Sequence, residues 1–362
     1  MRTVIFRPTN ECNLACKYCY DLDNHDDDIR NIRNVATKHF AENEEMLANG
    51  IHFLQEGERD KVVIFHGGEP LLIDPEVLDD FCSRLDDDID FHIQTNGTLI
   101  NQDVVQLFKK YQFKVGISLD GCNEYQNSYR VFRNQSSTFP VVMDKIRLLK
   151  ENDIRFGTIM SLSKKHIGSE QELYQFLGKN HVGANIRRVF VNDHFSNTMS
   201  DEEFVEFFNQ LFDIWYDDQN GEVGTRQILE LASELESVLK GEHSKFCSSS
   251  NDCFHRYISL DVDGKLYACN RLYGIPEFYY GQVSDLSKEE LWEKQHALLE
   301  QRDHHVQEEC GDCSRLHHCN GGCPAEAYDL CHDYTKPNCD YKVKQLIRTH
   351  IKERLKDDSY YE

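Results

Sequence analysis

Cysteine placement constrains this chain more tightly than any other feature. Three of the fourteen cysteines fall between residues 12 and 19 and nine fall between residues 247 and 339. Only Cys82 and Cys122 occupy the long stretch between. The N-terminus reads MRTVIFRPTNECN, with a basic residue but an apolar run far too short for a signal peptide. Without an export signal a disulfide framework is disfavoured, and metal ligation becomes the leading explanation for so many thiols. The same reading places the protein in the cytoplasm.

The chain has 362 residues, too long for one small core and suited to one large domain plus a smaller one. Hydrophobic residues make up 40% of it, enough for a sizeable interior. No apolar run approaches the length of a membrane helix, so no membrane partner is expected. The formal net charge of -23 repels phosphate backbones and excludes general nucleic-acid binding. Such a surface could attract a basic peptide, although a solvated acidic surface kept for solubility is the simpler reading. Runs such as Asp26-Asp27-Asp28 and Asp86-Asp87-Asp88 read as loop or helix-end charge.

Short apolar runs alternate with helical patterns through the first half. The predicted strands are Thr3–Phe6, Val62–Phe65, Asp90–Gln94, Lys114–Ser118, Arg155–Met160 and Arg188–Val191. Helix-length segments between them include Val77–Leu85, Val104–Tyr111, Val141–Glu151 and Glu170–Leu177. This alternation predicts a parallel sheet with right-handed crossovers. Functional residues then belong at the C-terminal ends of the strands. Residues 201–240 read as two helices whose stripe of Phe204, Phe207, Phe208, Leu211, Phe212 and Trp215 is ordinary core. From Cys247 helical periodicity fades and cysteines, glycines and short hairpin-like pieces take over. Asp263-Gly264, between Leu260 and Leu266, is a strong hairpin turn signal. A last helix runs over roughly 340–355.

The first cysteine group runs Cys12-Asn-Leu-Ala-Cys16-Lys-Tyr-Cys19, closely after the first strand. Three thiolates on one short loop can hold three irons of a 4Fe-4S cubane and leave the fourth iron open to an outside ligand. A zinc site is the alternative, but it wants four protein ligands, and nothing obvious nearby supplies the fourth. After the second strand comes Phe65-His66-Gly67-Gly68-Glu69-Pro70. After the third comes Gln94-Thr95-Asn96-Gly97-Thr98-Leu99, and after the fourth Ile117-Ser118-Leu119-Asp120-Gly121. Arg130 sits nine residues past Gly121.

This spacing, with its aromatic-rich CKYCY, resembles the radical S-adenosylmethionine (SAM) superfamily. The resemblance implies that the open iron chelates the amino and carboxylate groups of SAM. Reduction then cleaves SAM to a 5′-deoxyadenosyl radical that takes a hydrogen atom from the substrate. It places Tyr18 against the adenine and lets the backbone at Gly67 and Gly68 approach the ligand. Glu69 would accept hydrogen bonds from the methionine ammonium. Asn96, Ser118 and Asp120 join them as cofactor-binding residues, Ser118 at the ribose, and Arg130 faces the SAM carboxylate. The alternative for Arg130 is a surface arginine.

The second group has a more specific spacing. Cys253 is followed by ten residues, Gly264, four residues and Cys269. Then come Cys310-x2-Cys313-x5-Cys319-x3-Cys323 and a last cysteine at Cys339. Zinc ribbons would suit the CxxC pair equally well. The whole run resembles the seven-cysteine pattern of the SPASM domain, which carries two auxiliary 4Fe-4S clusters. Cys247, six before Cys253, stands where fully ligated members have an eighth. The family's pairing gives one cluster Cys247, Cys253, Cys269 and Cys323, and the other Cys310, Cys313, Cys319 and Cys339, with Cys331 a rival for the last place. Cys82 and Cys122 remain as free thiols, Cys82 buried in a helix.

The implied fold is α/β: a partial (β/α)6 TIM-type barrel followed by a small cysteine-rich α+β SPASM domain. The expected divisions are 1–200 for the barrel, 201–246 for a helical bridge, 247–340 for the SPASM domain and 341–362 for a C-terminal helix and tail. The implied cofactors are SAM and three 4Fe-4S clusters, and the implied electron source is a flavodoxin or ferredoxin.

Members of this family act mostly on peptides and proteins. The leading expectation is a maturase that leaves a cross-link or an oxidised residue in a ribosomally made peptide. The alternative is anaerobic sulfatase maturation, in which a cysteine or serine becomes formylglycine. One departure separates them. Sulfatase-maturating relatives carry an aspartate, thought to act as base, directly after the GX4C cysteine, whereas this chain has Asn270. An amide cannot accept a proton at neutral pH. The first strand begins near residue 3, so no fused peptide-recognition domain is expected. Either a separate protein supplies leader recognition or the substrate is read directly.

Overall fold

The structure is a computed structural model, and it describes residues 2–19, 32–189, 195–218, 221, 228–240, 250, 252–314, 316–338 and 341–357. Strand and helix alternate through the first half as predicted. In order they are β1 (Arg2–Arg7), α1 (Ile32–Gln55), β2 (Lys61–Phe65), α2 (Pro75–Ser83), β3 (Ile89–Thr95), α3 (Gln102–Lys110) and β4 (Lys114–Ser118). Then come α4 (Phe139–Glu151), β5 (Phe156–Leu162), α5 (Glu170–Asn180) and β6 (Ala184–Arg188). Next are α6 (Asp201–Asp217), α7 (Leu229–Lys240), α8 (Cys253–Arg256), β7 (Tyr257–Asp261), β8 (Lys265–Tyr267) and β9 (Tyr279–Gln282). The chain closes with α9 (Lys288–Cys310), α10 (Leu316–Cys319), α11 (Pro324–Cys331) and α12 (Tyr341–Asp357). No helix among the described residues is long and apolar enough to cross a membrane.

Two expectations need correction. The sixth strand lies at Ala184–Arg188 rather than Arg188–Val191. Only Ala184 and Ile186 are buried along it, so the strand reads as polar and the apolar run just after it drew the expectation forward. Helical periodicity also does not fade after Cys247, because α9 runs for 23 residues. Its buried positions are Leu291, Gln295, Leu299, Arg302 and Val306, spaced as one helical face. Two of the five are polar, which hid the stripe.

The chain divides into two compact units. The first comprises Met1–Ser118, Tyr129–Phe156 and Asp252–Glu300. Here β4, β3, β2 and β1 pair in parallel in that order, and β7 continues in parallel on the other side of β1. Thr3 faces Tyr257 and Arg7 faces Asp261 across that last pairing. The Asp263-Gly264 turn makes the predicted hairpin between β7 and β8, and β9 follows antiparallel.

One face of this sheet is closed by helices over an aromatic layer. Phe6 stacks on Phe81 of α2 at 5.2 Å and meets Phe65 edge-on at 5.4 Å. Phe113 joins Phe65, Phe91 and Phe108 at 5.4 to 5.5 Å. Cys82, next to Phe81, is buried as expected, and burial pushes its thiol well above the ordinary range. By the two-residue alternation of strands, the opposite face carries Arg7, Gln94, Gly116, Ser118 and Asp261, with His66 directly after β2.

The second unit comprises Leu119–Ser128, Gly157–Asn251 and Gln301–Glu362. In it β5 and β6 pair in parallel, α5 packs on α6, and α12 packs on α6 and α7. Ser200 and Glu203 form a reciprocal capping box that fixes the start of α6. Phe207, Phe208, Leu211 and Phe212 are fully buried, as the stripe predicts.

Candidate functional site

The loop after β1 carries Cys12, Cys16 and Cys19, and two glycines explain how it is held. Gly68 N–H donates to Thr9 O at 3.1 Å and Glu69 N–H donates to Glu11 O at 2.7 Å. A Cβ on Gly68 would stand 2.0 Å from Glu11 O, and one on Gly67 2.7 Å from Thr9 O. The glycine pair is therefore required where its backbone meets the backbone of the cysteine loop.

A second strap, residues 129–133, also holds the loop. Ala15 N–H donates to Val131 O and Lys17 N–H to Tyr129 O, each at 2.9 Å. Arg133 donates from Nε and Nη2 to Cys12 O at 3.1 and 2.9 Å. Arg130 donates to Cys16 Sγ at 3.7 Å and to the Tyr18 hydroxyl at 2.7 Å. Sequence reasoning missed Arg133, whose only local signal is its position three residues past Arg130.

Glu69 is 1% exposed and has three donors on its carboxylate. Oε1 accepts from Thr95 Oγ1 at 2.6 Å and from Leu71 N at 3.0 Å, and Oε2 accepts from Asn96 N at 2.7 Å. Burial raises its pKa against the pull of those donors and of Arg130. A carboxylate offers about four lone-pair sites, so one acceptor position remains. Asn96 donates from Nδ2 to Asn13 Oδ1 at 2.9 Å and accepts from Thr98 at Oδ1, tying the end of β3 to the cysteine loop. Ser118 is half-buried at the end of β4. In the second unit, Asp120 accepts from Ser161 N at 2.9 Å, and its own N–H donates to Asn127.

The donor set fits an iron–sulfur cluster. Leu14 N–H approaches Cys12 Sγ at 3.4 Å and Asn96 Nδ2 approaches it at 3.9 Å, the N–H contacts that a ligating thiolate uses. Burial, then the neighbouring Cys16 and Glu69, push the Cys12 thiol far up, so a bound cation is what would keep it a thiolate. Among the described residues no three His, Cys, Asp or Glu side chains converge on a single ion. A cubane places each thiolate on its own iron and needs no such convergence. A polar ligand such as SAM also has a buried acceptor to meet, since Gln94 Oε1 has no hydrogen-bond partner.

The GX4C segment lies in the same unit. Arg7 is fully buried and donates from Nη1 to Asn270 Oδ1 at 2.8 Å and from Nε to Asn10 Oδ1 at 3.1 Å. Its guanidinium lies 3.8 Å over the Tyr273 ring. Asn270 Nδ2 stands 3.2 Å from His66 Nδ1. This polar cluster draws on residues more than 200 positions apart, and no local pattern announces it. Cys253 starts α8 and Cys269 precedes Asn270, both half-buried.

In the second unit Cys310 ends α9, Cys319 ends α10 and Cys323 caps α11, while Cys313 is exposed. Buried Arg302 donates to Gly321 O at 2.7 Å, Gly322 O at 3.0 Å and Lys336 O at 3.1 Å, fixing the turn between Cys319 and Cys323. Asn338 N–H donates to Gly321 O at 2.7 Å. Exposed Cys331 donates to Ala327 O of its own helix. Cys247 and Cys339 lie outside the described residues.

Comparison with known proteins adds to this geometry. Residues 6–177 match the model of the radical SAM superfamily. The chain is 25% identical to a cysteine-type anaerobic sulfatase-maturating enzyme of Clostridium novyi over 340 residues, covering 89% of this chain and 87% of that protein. It is 23% identical to a serine-type anaerobic sulfatase-maturating enzyme of Bacteroides thetaiotaomicron over 401 residues, covering 96% and 93%. The fold superposes on native anSMEcpe with bound AdoMet and Cp18Cys peptide at a TM-score of 0.79, with 23% identity and 98% of both chains covered. Streptococcus suis SuiB bound to precursor peptide SuiA gives 0.64 at 16% identity, covering 95% of this chain and 75% of that one.

Proposed function

We propose, because this chain is a radical SAM enzyme of the SPASM subgroup, that it oxidises a cysteine or serine side chain of a peptide or protein substrate, as anaerobic sulfatase-maturating enzymes do. The observation that carries this reading is the likeness to enzymes of that name, which covers 89% and 96% of this chain in two of them. It supports side-chain oxidation better than the peptide cross-linking expected first from the sequence. Cross-linking stands second. It is favoured by Asn270, an amide at the position where the sulfatase-maturating pattern has an acid.

Cys12, Cys16 and Cys19 would hold a 4Fe-4S cluster whose open iron would bind SAM, and that pair would supply the radical chemistry. The chain's own part is to bind and orient. Tyr18, clasped by Arg130, offers a ring to the adenine. Glu69 keeps one acceptor position for the methionine ammonium, and Gln94 Oε1 adds another acceptor. Arg130 sits close enough to Cys16 to balance a carboxylate beside the cluster. Ser118, which strand alternation puts on the face of β4 that Gly116 shares, would meet the ribose.

Eight C-terminal cysteines would hold two auxiliary clusters, bringing the load to about twelve irons. The contact of Asn338 with the Cys319–Cys323 turn supports Cys339 over Cys331 as the last ligand. A flavodoxin or ferredoxin would supply the electron. Substrate recognition would come from the chain itself or from a separate leader-recognition protein.

Anaerobic incubation of the reconstituted protein with SAM, a reductant and a sulfatase-motif peptide tests the reading by mass spectrometry. The cysteine peptide should exchange its thiol for a carbonyl oxygen, or the serine peptide should lose two hydrogens. Unchanged peptides, with a cross-link formed instead in a precursor peptide, would overturn it in favour of the second reading.

A further inference from the structure

The sheet face opposite the helices of the first unit carries Arg7 and Asp261, and it continues beyond β7. Tyr267 of β8 pairs with Ser259 of β7 on one side and with Tyr279 of β9 on the other. Directly paired residues point to the same side of a sheet. Ser259 and Asp261, two apart on β7, share the face of their partners Ile5 and Arg7. The hairpin therefore extends the Arg7 face and lines it with tyrosine.

The rings form one row. Tyr279 is 40% exposed, and its ring lies 5.3 Å from that of half-buried Tyr267. Tyr267 meets Tyr273 edge-on at 4.9 Å. Tyr273 lies under the Arg7 guanidinium, donates to Asp261 Oδ2 at 3.0 Å and accepts from Asn10 Nδ2 at 2.8 Å. The inner end of the row is thus fixed in the cluster that holds Asn270, next to Cys269. A single exposed tyrosine is ordinary on a protein surface. Here the exposed ring is the outer end of a row that begins at the residue distinguishing the two chemistries.

The surroundings narrow what such a row can bind. In the sheet order, β7, β8 and β9 lie on the side of β1 away from β2, β3 and β4, whose ends carry Glu69, Asn96 and Ser118. The hairpin is therefore placed apart from the residues read as SAM contacts. Lys265, on the same face as Tyr267, is paired with Asp263 at 3.1 Å. Lys294 donates to Tyr280 O at 2.5 Å, which occupies a carbonyl of edge strand β9 and disfavours strand addition there. What remains on offer is ring surface, which is large, rigid and loses little entropy on contact.

We propose that Tyr267 and Tyr279 form a docking wall for the peptide segment that flanks the oxidised residue, packing an apolar side chain of that segment against their rings. The assignment rests on the oxidation reading above and gives part of substrate recognition to the chain itself.

The test measures binding of a labelled sulfatase-motif cysteine peptide to the reconstituted protein by fluorescence anisotropy, anaerobically, with SAM and without reductant. Tyr279→Ala and Tyr267→Ala should each weaken binding about tenfold, the loss of one aromatic anchor. Tyr279→Phe, which keeps the ring, should bind within about twofold of wild type. SAM affinity should not change. A peptide whose apolar residues beside the cysteine are glycine should bind wild type about tenfold more weakly and lose nothing further in Tyr279→Ala, because the two changes remove one contact.

Wild-type affinity in Tyr279→Ala would overturn the wall, and this exposed position can be changed without opening the core. Losses that simply add between the glycine peptide and Tyr279→Ala would overturn it too, as would a parallel loss of SAM affinity. Wild type that binds the peptide yet, once reduced, oxidises neither cysteine nor serine would instead overturn the oxidation reading.

Discussion

Glu69 shows what one side chain has to do in this site. Its carboxylate caps the turn after Gly68, receives the Thr95 hydroxyl and receives the Asn96 N–H, all within a buried pocket. Glu69→Gln keeps the shape but turns one acceptor into a donor facing a donor. Leaving such a buried group unsatisfied costs about 1–3 kcal/mol, so denaturant unfolding should show a loss of that size and SAM binding should weaken. A variant as stable as wild type would mean that the three contacts do not act together.

At this scale the sequence revealed residue types well. The cysteines, Glu69, Asn96 and Tyr18 stood out because their spacing is local. Arg7, Arg133, Arg302 and the His66–Asn270 contact did not, because each depends on a partner supplied by the fold. A buried arginine also reads as a surface one in composition.

Elements were legible where periodicity was pure and obscure where polar residues were buried. The strands β1 to β5 and the helix α6 announced themselves by alternation and by an unbroken aromatic stripe. The helix α9 did not, because Gln295 and Arg302 interrupt its apolar face while bonding backbone carbonyls. The strand β7 gave no hint that it would pair in parallel with β1, since pairing across some 250 residues leaves no local mark.

Two substitutions separate the parts that the elements play. Phe81→Ala removes a ring from the helix-side aromatic layer and should cost about 3–5 kcal/mol of stability, with iron content retained. Gly68→Ala drives a Cβ into Glu11 O. It should leave far-ultraviolet circular dichroism intact while lowering iron by about four per chain. Equal iron in both variants would show that the glycine pair does not seat the cysteine loop.

At the scale of the whole molecule, residues 6–177 match the radical SAM model, and the likeness to anaerobic sulfatase-maturating enzymes covers 89 to 96% of the chain. The radical chemistry was therefore readable before the fold, and the substrate was not, because the distinguishing position holds Asn270, an amide where the sulfatase-maturating pattern has an acid. The most direct measurement uses a substrate peptide whose cysteine is deuterated at the β-carbon, incubated anaerobically with reconstituted protein, SAM and reductant. Hydrogen abstraction at that carbon predicts deuterium in 5′-deoxyadenosine and a carbonyl in the peptide. Unlabelled 5′-deoxyadenosine, with the peptide still fully deuterated, would contradict it.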